Sequence, residues 1–144
     1  MNNIFIVIAA YNEEKRISKV LKEIKIKYKN IIVIDDGSED KTSKIAKKAG
    51  VIVLTHIVNL GKGAAINTGC IYAINSGAKM LVLIDADGQH NPKEIPKFLE
   101  KVKKKDIIFG YRKFNNNMPF LLKFGNKFIN LTTRLLYKIN IKDT

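Results

Sequence analysis

The stretch Met80-Leu81-Val82-Leu83-Ile84-Asp85-Ala86-Asp87-Gly88-Gln89-His90 decides the fold class of this chain. Five apolar residues in a row are typical of a strand covered on both faces, as the strands of a parallel sheet are. Two carboxylates then follow, one residue apart, where such a strand would end. The stretch therefore predicts a buried parallel strand that delivers acidic side chains to one edge of a sheet.

Four other short apolar runs have the same character and predict four more strands. They are Ile4 to Ala9, Ile31 to Ile34, Val51 to Leu54 and Ile107 to Phe109. Between the runs, apolar residues recur at helical spacing, with lysines on the other side of each helix. The predicted order is β-α-β-α-β-α-β-α-β, followed by one long C-terminal helical pattern.

Residues at the predicted helix ends agree with this order. Ser38 or Asp40 can cap the second helix, and Asn91-Pro92 suits an N-cap followed by the first helical residue. Alternation of this kind predicts an α/β fold, a doubly wound and mostly parallel sheet with helices on both faces.

Polar clusters follow the predicted strands, at the edge where such sheets bind ligands. They are Tyr11 to Glu14, Asp35 to Ser38, Asn59 to Gly63 and Asp85 to His90. A strand order of 3-2-1-4 would place the first and fourth clusters on either side of the point where the order reverses. In that case one cleft collects all four clusters.

The fourth cluster is a candidate metal site. Asp85 and Asp87 can share one Mg²⁺ or Mn²⁺ ion, to which Gln89 adds a neutral oxygen. Such an ion would take phosphate oxygens to complete its shell. The alternative is a plain turn, because Asp and Gly both favour turns.

The other clusters offer candidate contacts to a nucleotide, some of them with a structural alternative. Asp35 and Asp36 can accept hydrogen bonds from a base or ribose, or can form the turn before the next helix. Lys62, between two glycines near a helix start, suits a phosphate group. Tyr11 can stack on a base, whereas Glu14 can touch a nucleotide or cap the first helix.

The length and the charge of the chain limit the classes of protein to which it can belong. A chain of 144 residues predicts one domain, residues 1–144, and its formal net charge of +13 favours an anionic partner. No nucleic-acid motif occurs, so we expect no specific nucleic-acid partner. The N-terminal residues do not resemble a signal peptide, and no apolar run approaches the length of a membrane-spanning helix. These features predict a cytoplasmic protein that is at most peripheral at the inner face of the membrane.

The clusters together resemble family 2 glycosyltransferases of the GT-A fold, within their dolichol-phosphate mannose synthase-like, polyprenyl-phosphate branch. The segments that carry the resemblance are Ala10 to Glu14, Val33 to Ser38, Asn59 to Ala65, Asp85 to Pro92 and Gly110 to Arg112. Ala9 departs from the family, which often has proline at this position.

The resemblance implies a role for each matching residue. Residues that would contact the nucleotide are Ala10, Tyr11, Glu14, Asp35, Asp36, Lys62 and Asp85. Metal ligands would be Asp85, Asp87 and Gln89. Catalytic residues would be Asp87 and Arg112, with Arg112 near a phosphate of the donor or acceptor. It further implies Mg²⁺- or Mn²⁺-dependent, inverting transfer from a nucleoside-diphosphate sugar, of the GDP-mannose or UDP-glucose type, to a polyprenyl or dolichyl phosphate.

The acceptor side is the least defined part of this interpretation. The family continues beyond a position like Asp143, so we expect a catalytic domain that is truncated or short at its acceptor side. Tyr111 to Thr144 holds seven Lys and Arg residues among Phe and Leu side chains, a pattern that fits either peripheral contact with an anionic membrane or a helix packed on the sheet. Two alternatives stay open: a nucleotide-sugar-binding domain with little turnover, and transfer to a glycan hydroxyl in surface polysaccharide synthesis. Donor base, sugar and oligomeric state are not determined.

Overall fold

The structure is a computed structural model that describes residues 3–102 and 107–110. The chain divides into two compact units, Met1–Leu99 and Glu100–Thr144. All four polar clusters named above belong to the first unit. A single domain over residues 1–144 stays a prediction.

Strands and helices alternate along the first unit. The strands are β1 (Ile4–Ala10), β2 (Ile31–Asp35), β3 (Ile52–Thr55) and β4 (Met80–Asp85), and the helices are α1 (Ile17–Lys25), α2 (Thr42–Lys48), α3 (Lys62–Asn75) and α4 (Ile95–Lys101), with a 3₁₀ turn at Pro92–Glu94 before α4. The first four predicted strands and the four predicted helices are therefore confirmed.

The four strands form one parallel sheet in the order β3-β2-β1-β4, as predicted. Ala10 pairs with Asp35, and Asp35 pairs with Thr55. On the other side of β1, Ala9 pairs with Asp85. The carboxyl ends of all four strands consequently lie in one row, which brings the loops that follow them to one edge.

Helices cover both faces of the sheet. Ile6 and Ile8 of β1 pack in one core cluster with α1, α2 and Ile95 of α4. Val7 points the other way, into a second cluster with α3. Because Ile6, Val7 and Ile8 are at most 1% exposed, β1 is buried on both faces, which explains its uninterrupted apolar sequence.

Helix α3 lies unusually close to the sheet at Gly69. A Cβ atom at this position would stand 2.4 Å from side-chain carbons of both Val7 and Ile34. The absence of a side chain therefore sets the distance between α3 and the two central strands. Since α3 begins with Lys62, this packing also fixes where the Lys62 side chain starts.

The predicted helix caps are partly confirmed. The Asn91 side chain accepts from the backbone N–H of Lys93, and Pro92 occupies the first position of the 3₁₀ turn. The N-cap residue of α2 is Lys41, which makes no side-chain cap. Asp40, one residue earlier, accepts from the N–H of Thr42 at 2.8 Å, whereas the Ser38 hydroxyl accepts from the N–H of Asn12.

The predicted fifth strand is wrong. Residues 107–110 form no strand, and Ile107 and Phe109 are 70% and 86% exposed. An apolar run of three residues has the composition of a strand, but composition supplies no partner for its backbone groups. The predicted C-terminal helix lies outside the described residues. Among residues 3–102 and 107–110, no helix combines the length and apolar character needed to cross a bilayer.

Candidate functional site

Two adjoining cavities open at the carboxyl edge of the sheet. The acidic cavity, about 310 Å³, is lined by Asp85 at the end of β4, Asp87 in the loop after it, Lys62 of α3, and residues at the end of β1. The loop cavity, about 520 Å³, lies between the loop after β2 and the loop after β3, residues 55–59. Tyr11 and Asn59 line both cavities. The two cavities therefore form one continuous candidate site.

Lys62 and Asp85 form an ion pair inside the acidic cavity. The Lys62 Nζ atom lies 2.7 Å from one Asp85 carboxylate oxygen and 2.8 Å from the other. The Asp85 side chain is 28% exposed and the Lys62 side chain 62% exposed, so both remain open to a ligand. The backbone N–H of Asp85 donates to His90 Nδ1 at 3.2 Å, which steadies the loop after β4.

Asp87 lies two residues further along the same loop and is half-buried. Its Oδ1 atom accepts from the backbone N–H of Gln89 at 2.8 Å, which orients the carboxylate. Arg16 also acts on Asp87 through its charge, although its guanidinium pairs directly with Glu13 at 2.5 Å. The hydrogen bond from Arg16 to Glu13 raises the pKa of Arg16.

The two aspartates fit a divalent cation. No group of three or more His, Cys, Asp or Glu residues suited to holding a metal occurs within residues 3–102 and 107–110. However, Mg²⁺ commonly takes one or two protein carboxylates and completes its shell with substrate phosphates and water. Asp85 and Asp87 line one cavity, and Asp85 already holds a cation, Lys62, against both its oxygens.

Asp36 anchors the loop that leads into α3. It is 3% exposed, and its carboxylate accepts from the backbone N–H groups of Leu60 at 3.0 Å and Gly61 at 2.8 Å. His56 Nδ1 lies 2.7 Å from the same carboxylate. Burial raises the pKa of Asp36, but the donors of Leu60, His56 and Gly61 together outweigh burial and hold that pKa below its usual range.

The turn after β2 packs directly against the loop after β3. Asp35 is 1% exposed, and its carboxylate accepts from the N–H of Ser38 at 3.2 Å. Gly37 has φ of +72°, and a Cβ atom there would stand 2.5 Å from the Val58 carbonyl carbon. Asp35 therefore holds a tight turn, of which Gly37 and Ser38 make one wall of the loop cavity.

Hydrogen bonds join the loop after β1 to the loop after β2. Glu14 accepts from the N–H of Lys41 at 3.1 Å and donates its own N–H to Asp40 at 3.0 Å. Asn12 exchanges hydrogen bonds with Ser38 and Glu39 in the same way. Glu14 therefore caps the start of α2, not that of α1, and the two loops form one rigid frame.

The acidic side chains of this frame make stability dependent on pH. Burial raises the pKa of Asp40, but hydrogen bonds from Thr42 and the N–H of Glu14 outweigh it, so the pKa is lowered, as for Asp36. An aspartate in an unfolded chain titrates near pH 3.9, so below about pH 4 the unfolded chain binds more protons than the folded one. We expect the free energy of unfolding to be constant above about pH 5 and to fall as the pH drops below about 4.

Urea unfolding followed by circular dichroism across this range checks the expectation. Asp36→Asn should flatten the acid dependence, because one of the two depressed carboxyl groups is gone. A wild-type unfolding free energy unchanged down to about pH 3 would contradict it.

The structure brings most of the predicted site residues together. Those lining the acidic cavity are Ala10, Tyr11, Asp36, Lys62, Asp85 and Asp87. Asp35, the last residue of β2, and the loop residues Glu14 and Gln89 line neither cavity. Arg112 lies outside the described residues. The roles assigned to all these residues stay predictions.

Asn59, Glu13 and His56 have no individual role among the predicted site residues, although Asn59 and Glu13 lie in two of the predicted polar clusters. Asn59 lines both cavities, and Glu13 lines the acidic one and binds Arg16. His56 follows directly after β3, so its place at the carboxyl edge was a usable signal. Its hydrogen bond to Thr68, near the middle of α3, has no signal in the sequence.

The sequence matches the family model described as glycosyl transferase family 2 over residues 5–143. An uncharacterised protein of Methanocaldococcus jannaschii is 45% identical over 142 residues, covering 94% of this chain and 58% of that protein. The UDP-N-acetylglucosamine–dolichyl-phosphate N-acetylglucosaminyltransferase of Methanococcus voltae is 36% identical over 165 residues, covering 98% of this chain and 66% of that protein. The chain thus spans about six tenths of the length of these relatives.

Solved structures share the fold. Glucosyl-3-phosphoglycerate synthase from Mycobacterium tuberculosis, in complex with phosphoglyceric acid, gives a TM-score of 0.68 at 21% identity over 99% of this chain and 53% of that one. Its complex with Mn²⁺ and UDP-glucose gives 0.57 at 25% identity over 73% of this chain and 40% of that one. The predicted α/β fold of the GT-A kind is confirmed.

Proposed function

Because the chain belongs to glycosyl transferase family 2, we propose that it carries the donor site of an inverting enzyme. This enzyme transfers a sugar from a nucleoside-diphosphate sugar to a polyprenyl phosphate, with Mg²⁺ or Mn²⁺. The observation that carries the proposal is the acidic cavity, where Lys62, Asp85 and Asp87 combine one cation with two carboxylates. The name of the Methanococcus voltae relative, which couples a UDP-sugar to dolichyl phosphate, supports the substrate classes.

Each of the two cavities binds a different part of the donor. The nucleobase and ribose occupy the loop cavity, with the Tyr11 ring, 44% exposed, against the base. The diphosphate occupies the acidic cavity. Tyr11 and Asn59 lie where the nucleoside meets the diphosphate, since both line the two cavities.

Lys62, Asp85 and Asp87 act on the leaving diphosphate. Asp85 and Asp87 would hold the divalent cation, which would neutralise the charge that develops on the leaving group. The solved complex of glucosyl-3-phosphoglycerate synthase with Mn²⁺ and UDP-glucose supports this choice of cation. The ammonium group of Lys62, which pairs with Asp85, would contact a phosphate oxygen of the diphosphate.

A polyprenyl phosphate suits this site as an acceptor because it needs no general base. A phosphate monoester with a second pKa of about 6 is already an anionic nucleophile near neutral pH. Arg112 is proposed to lie near a phosphate of donor or acceptor, as the family resemblance implies. A lipid acceptor also places the protein at a membrane surface, to which the net charge of +13 would attract it.

Titration calorimetry of the full chain tests the donor site. GDP-mannose, UDP-glucose and UDP-N-acetylglucosamine are titrated with Mn²⁺ and with EDTA, and transfer of radiolabelled sugar into extractable polyprenyl phosphate is then measured with the donor that binds. We expect one donor to bind only with Mn²⁺ and its sugar to appear in the lipid fraction. Metal-dependent binding without transfer would favour a binding domain, and transfer to a glycan alone would replace the lipid acceptor.

The high net charge requires a control, because any nucleotide is attracted to a cation-rich surface. Lys62→Met is expected to weaken donor affinity about tenfold or more, as a charge-assisted hydrogen bond to phosphate is lost. Lys48→Met removes the same charge from the exposed end of α2 and should leave the affinity unchanged. Equal losses in both variants would contradict the assignment of Lys62.

A further inference from the structure

His56 sits in the middle of a hydrogen-bonded chain that the proposed mechanism does not use. Its Nδ1 atom contacts Asp36 at 2.7 Å, and its Nε2 atom contacts Thr68 Oγ1 at 3.0 Å. Its backbone N–H donates to the carbonyl of Asp35 at 2.9 Å. The imidazole, 12% exposed, thus joins the end of β2 to the middle of α3.

The partners of His56 determine where its proton lies. An ionised Asp36 can only accept hydrogen bonds, so Nδ1 of His56 must carry a hydrogen and donate it. In the neutral ring Nε2 is then an acceptor, and the Thr68 hydroxyl donates to it. A neutral His90 has the opposite arrangement, because its Nδ1 accepts from the N–H of Asp85 and the ring hydrogen is then on Nε2.

Asp36 connects His56 to the loop before α3 through hydrogen bonds. Its two oxygens hold the N–H groups of Leu60 and Gly61, and Gly61 has φ of +92° and ψ of 153°, a conformation that only glycine adopts readily. The carbonyl of Gly61 accepts from the N–H of Ala65 and so begins α3. Lys62 is the first residue of α3, and its ammonium group reaches Asp85.

We infer that His56 is a positioning residue for the donor site. Its Nδ1–H holds the Asp36 carboxylate in the orientation that accepts from Leu60 and Gly61. That orientation fixes Lys62 and Asn59 against the diphosphate. The inference rests on the proposed function for its effect on donor affinity, whereas its effect on the loop is independent of any ligand.

The variants distinguish the space that the His56 ring fills from the hydrogen bonds that it makes. His56→Phe fills the space but donates nothing, whereas His56→Asn keeps an N–H near the position of Nδ1 and loses Nε2. Thr68→Val removes only the hydroxyl that donates to Nε2. Ser43→Ala is the control, since it removes a 3.3 Å side-chain contact to Thr55, the residue next to His56, and leaves the contacts of His56 itself in place.

The ligand-free readouts are nitrogen NMR of labelled histidine and amide hydrogen exchange. The chain has two histidines, so the wild type should show one Nδ1–H ring, His56, and one Nε2–H ring, His90. In His56→Phe the amide of Leu60 should exchange about tenfold faster or more, as its acceptor is no longer held in place, and in His56→Asn it should stay close to wild type. The amide of Gly61 should change less, because it also donates to Asn59 Oδ1 at 2.9 Å.

The donor readout is the affinity measured by calorimetry with Mn²⁺, together with KM and kcat of transfer. His56→Phe should weaken donor affinity by about tenfold and raise the donor KM more than it lowers kcat, the size usual for loss of a residue that orients a binding group. His56→Asn should recover most of this loss, Thr68→Val should lose less, and Ser43→Ala should match wild type.

The outcomes distinguish the two proposals. If the wild type binds no donor, the proposed function fails, and the amide exchange of Leu60 still decides the role of His56. If donor binds and His56→Phe matches wild type in exchange and affinity, the inference is wrong. The inference is also wrong if His56→Asn loses as much donor affinity as His56→Phe.

Discussion

Asp87→Asn is expected to abolish Mn²⁺-dependent donor binding, a loss of affinity of about 100-fold or more, while the fold stays intact. The substitution removes the negative charge that a divalent cation requires. It keeps an oxygen that can still accept from the N–H of Gln89, the 2.8 Å hydrogen bond that orients the side chain in the wild type. Calorimetry with the donor that the wild type binds, with Mn²⁺ and with EDTA, measures the effect.

Glu94→Gln is the matched control for Asp87→Asn. It removes the same charge from an exposed residue of the 3₁₀ turn that follows the loop after β4. Its donor affinity should equal that of wild type, and wild type in EDTA should behave like Asp87→Asn in Mn²⁺. Undiminished metal dependence in Asp87→Asn would remove Asp87 from the metal site.

Gly37→Ala is expected to lower the free energy of unfolding by about 3 kcal/mol and to lower donor affinity with it. With φ of +72°, alanine at this position is strained by itself. Its Cβ atom would also stand 2.5 Å from the Val58 carbonyl carbon and 2.6 Å from the Asn59 nitrogen, backbone atoms that cannot rotate away. The loop after β3 would have to shift, and with it the wall of the loop cavity.

Gly50→Ala isolates the part of this cost that comes from backbone conformation. Gly50 has φ of +69°, close to that of Gly37, but the nearest atom to its Cβ position is the flexible Lys25 Nζ at 3.8 Å. We expect Gly50→Ala to cost about 1 kcal/mol in urea unfolding and nothing in donor affinity. Equal costs for the two variants would show that the contact of Gly37 with Val58 and Asn59 is unimportant.

The fold of the first unit was predictable because its signals are local. Short uninterrupted apolar runs are found where strands are covered on both faces, and β1 is such a strand. The order β3-β2-β1-β4 then placed the polar clusters at one edge. The predicted strand Ile107 to Phe109 failed because pairing is a property of two segments, and a run of three residues does not reveal whether it has a partner.

Which predicted residues line the acidic cavity was predictable, but the hydrogen bonds that join them were not. That Lys62 and Asp85 reach one cavity followed from the topology. The hydrogen bonds from the N–H groups of Leu60 and Gly61 to Asp36 could not be predicted in this way. A carboxylate can accept equally well from a nucleotide and from a backbone N–H group. Glu14 is a similar case, since its cap lies on α2, 27 residues away in sequence, and not on the helix it precedes.

The position of β4 at the end of the strand order has a consequence for the nascent chain. β1 pairs with β2 after a single helix, as Ile6 with Ile31, but its other edge pairs with β4 only after three helices, as Ile4 with Met80. Closing that longer loop costs more chain entropy, so β4 is expected to join last, both in refolding and during synthesis. Until it does, β1 presents an open edge to other chains, and Asp85 and Asp87 are not yet beside Lys62. Ribosomal pausing after β4 would therefore favour correct assembly, whereas pausing before it would favour aggregation.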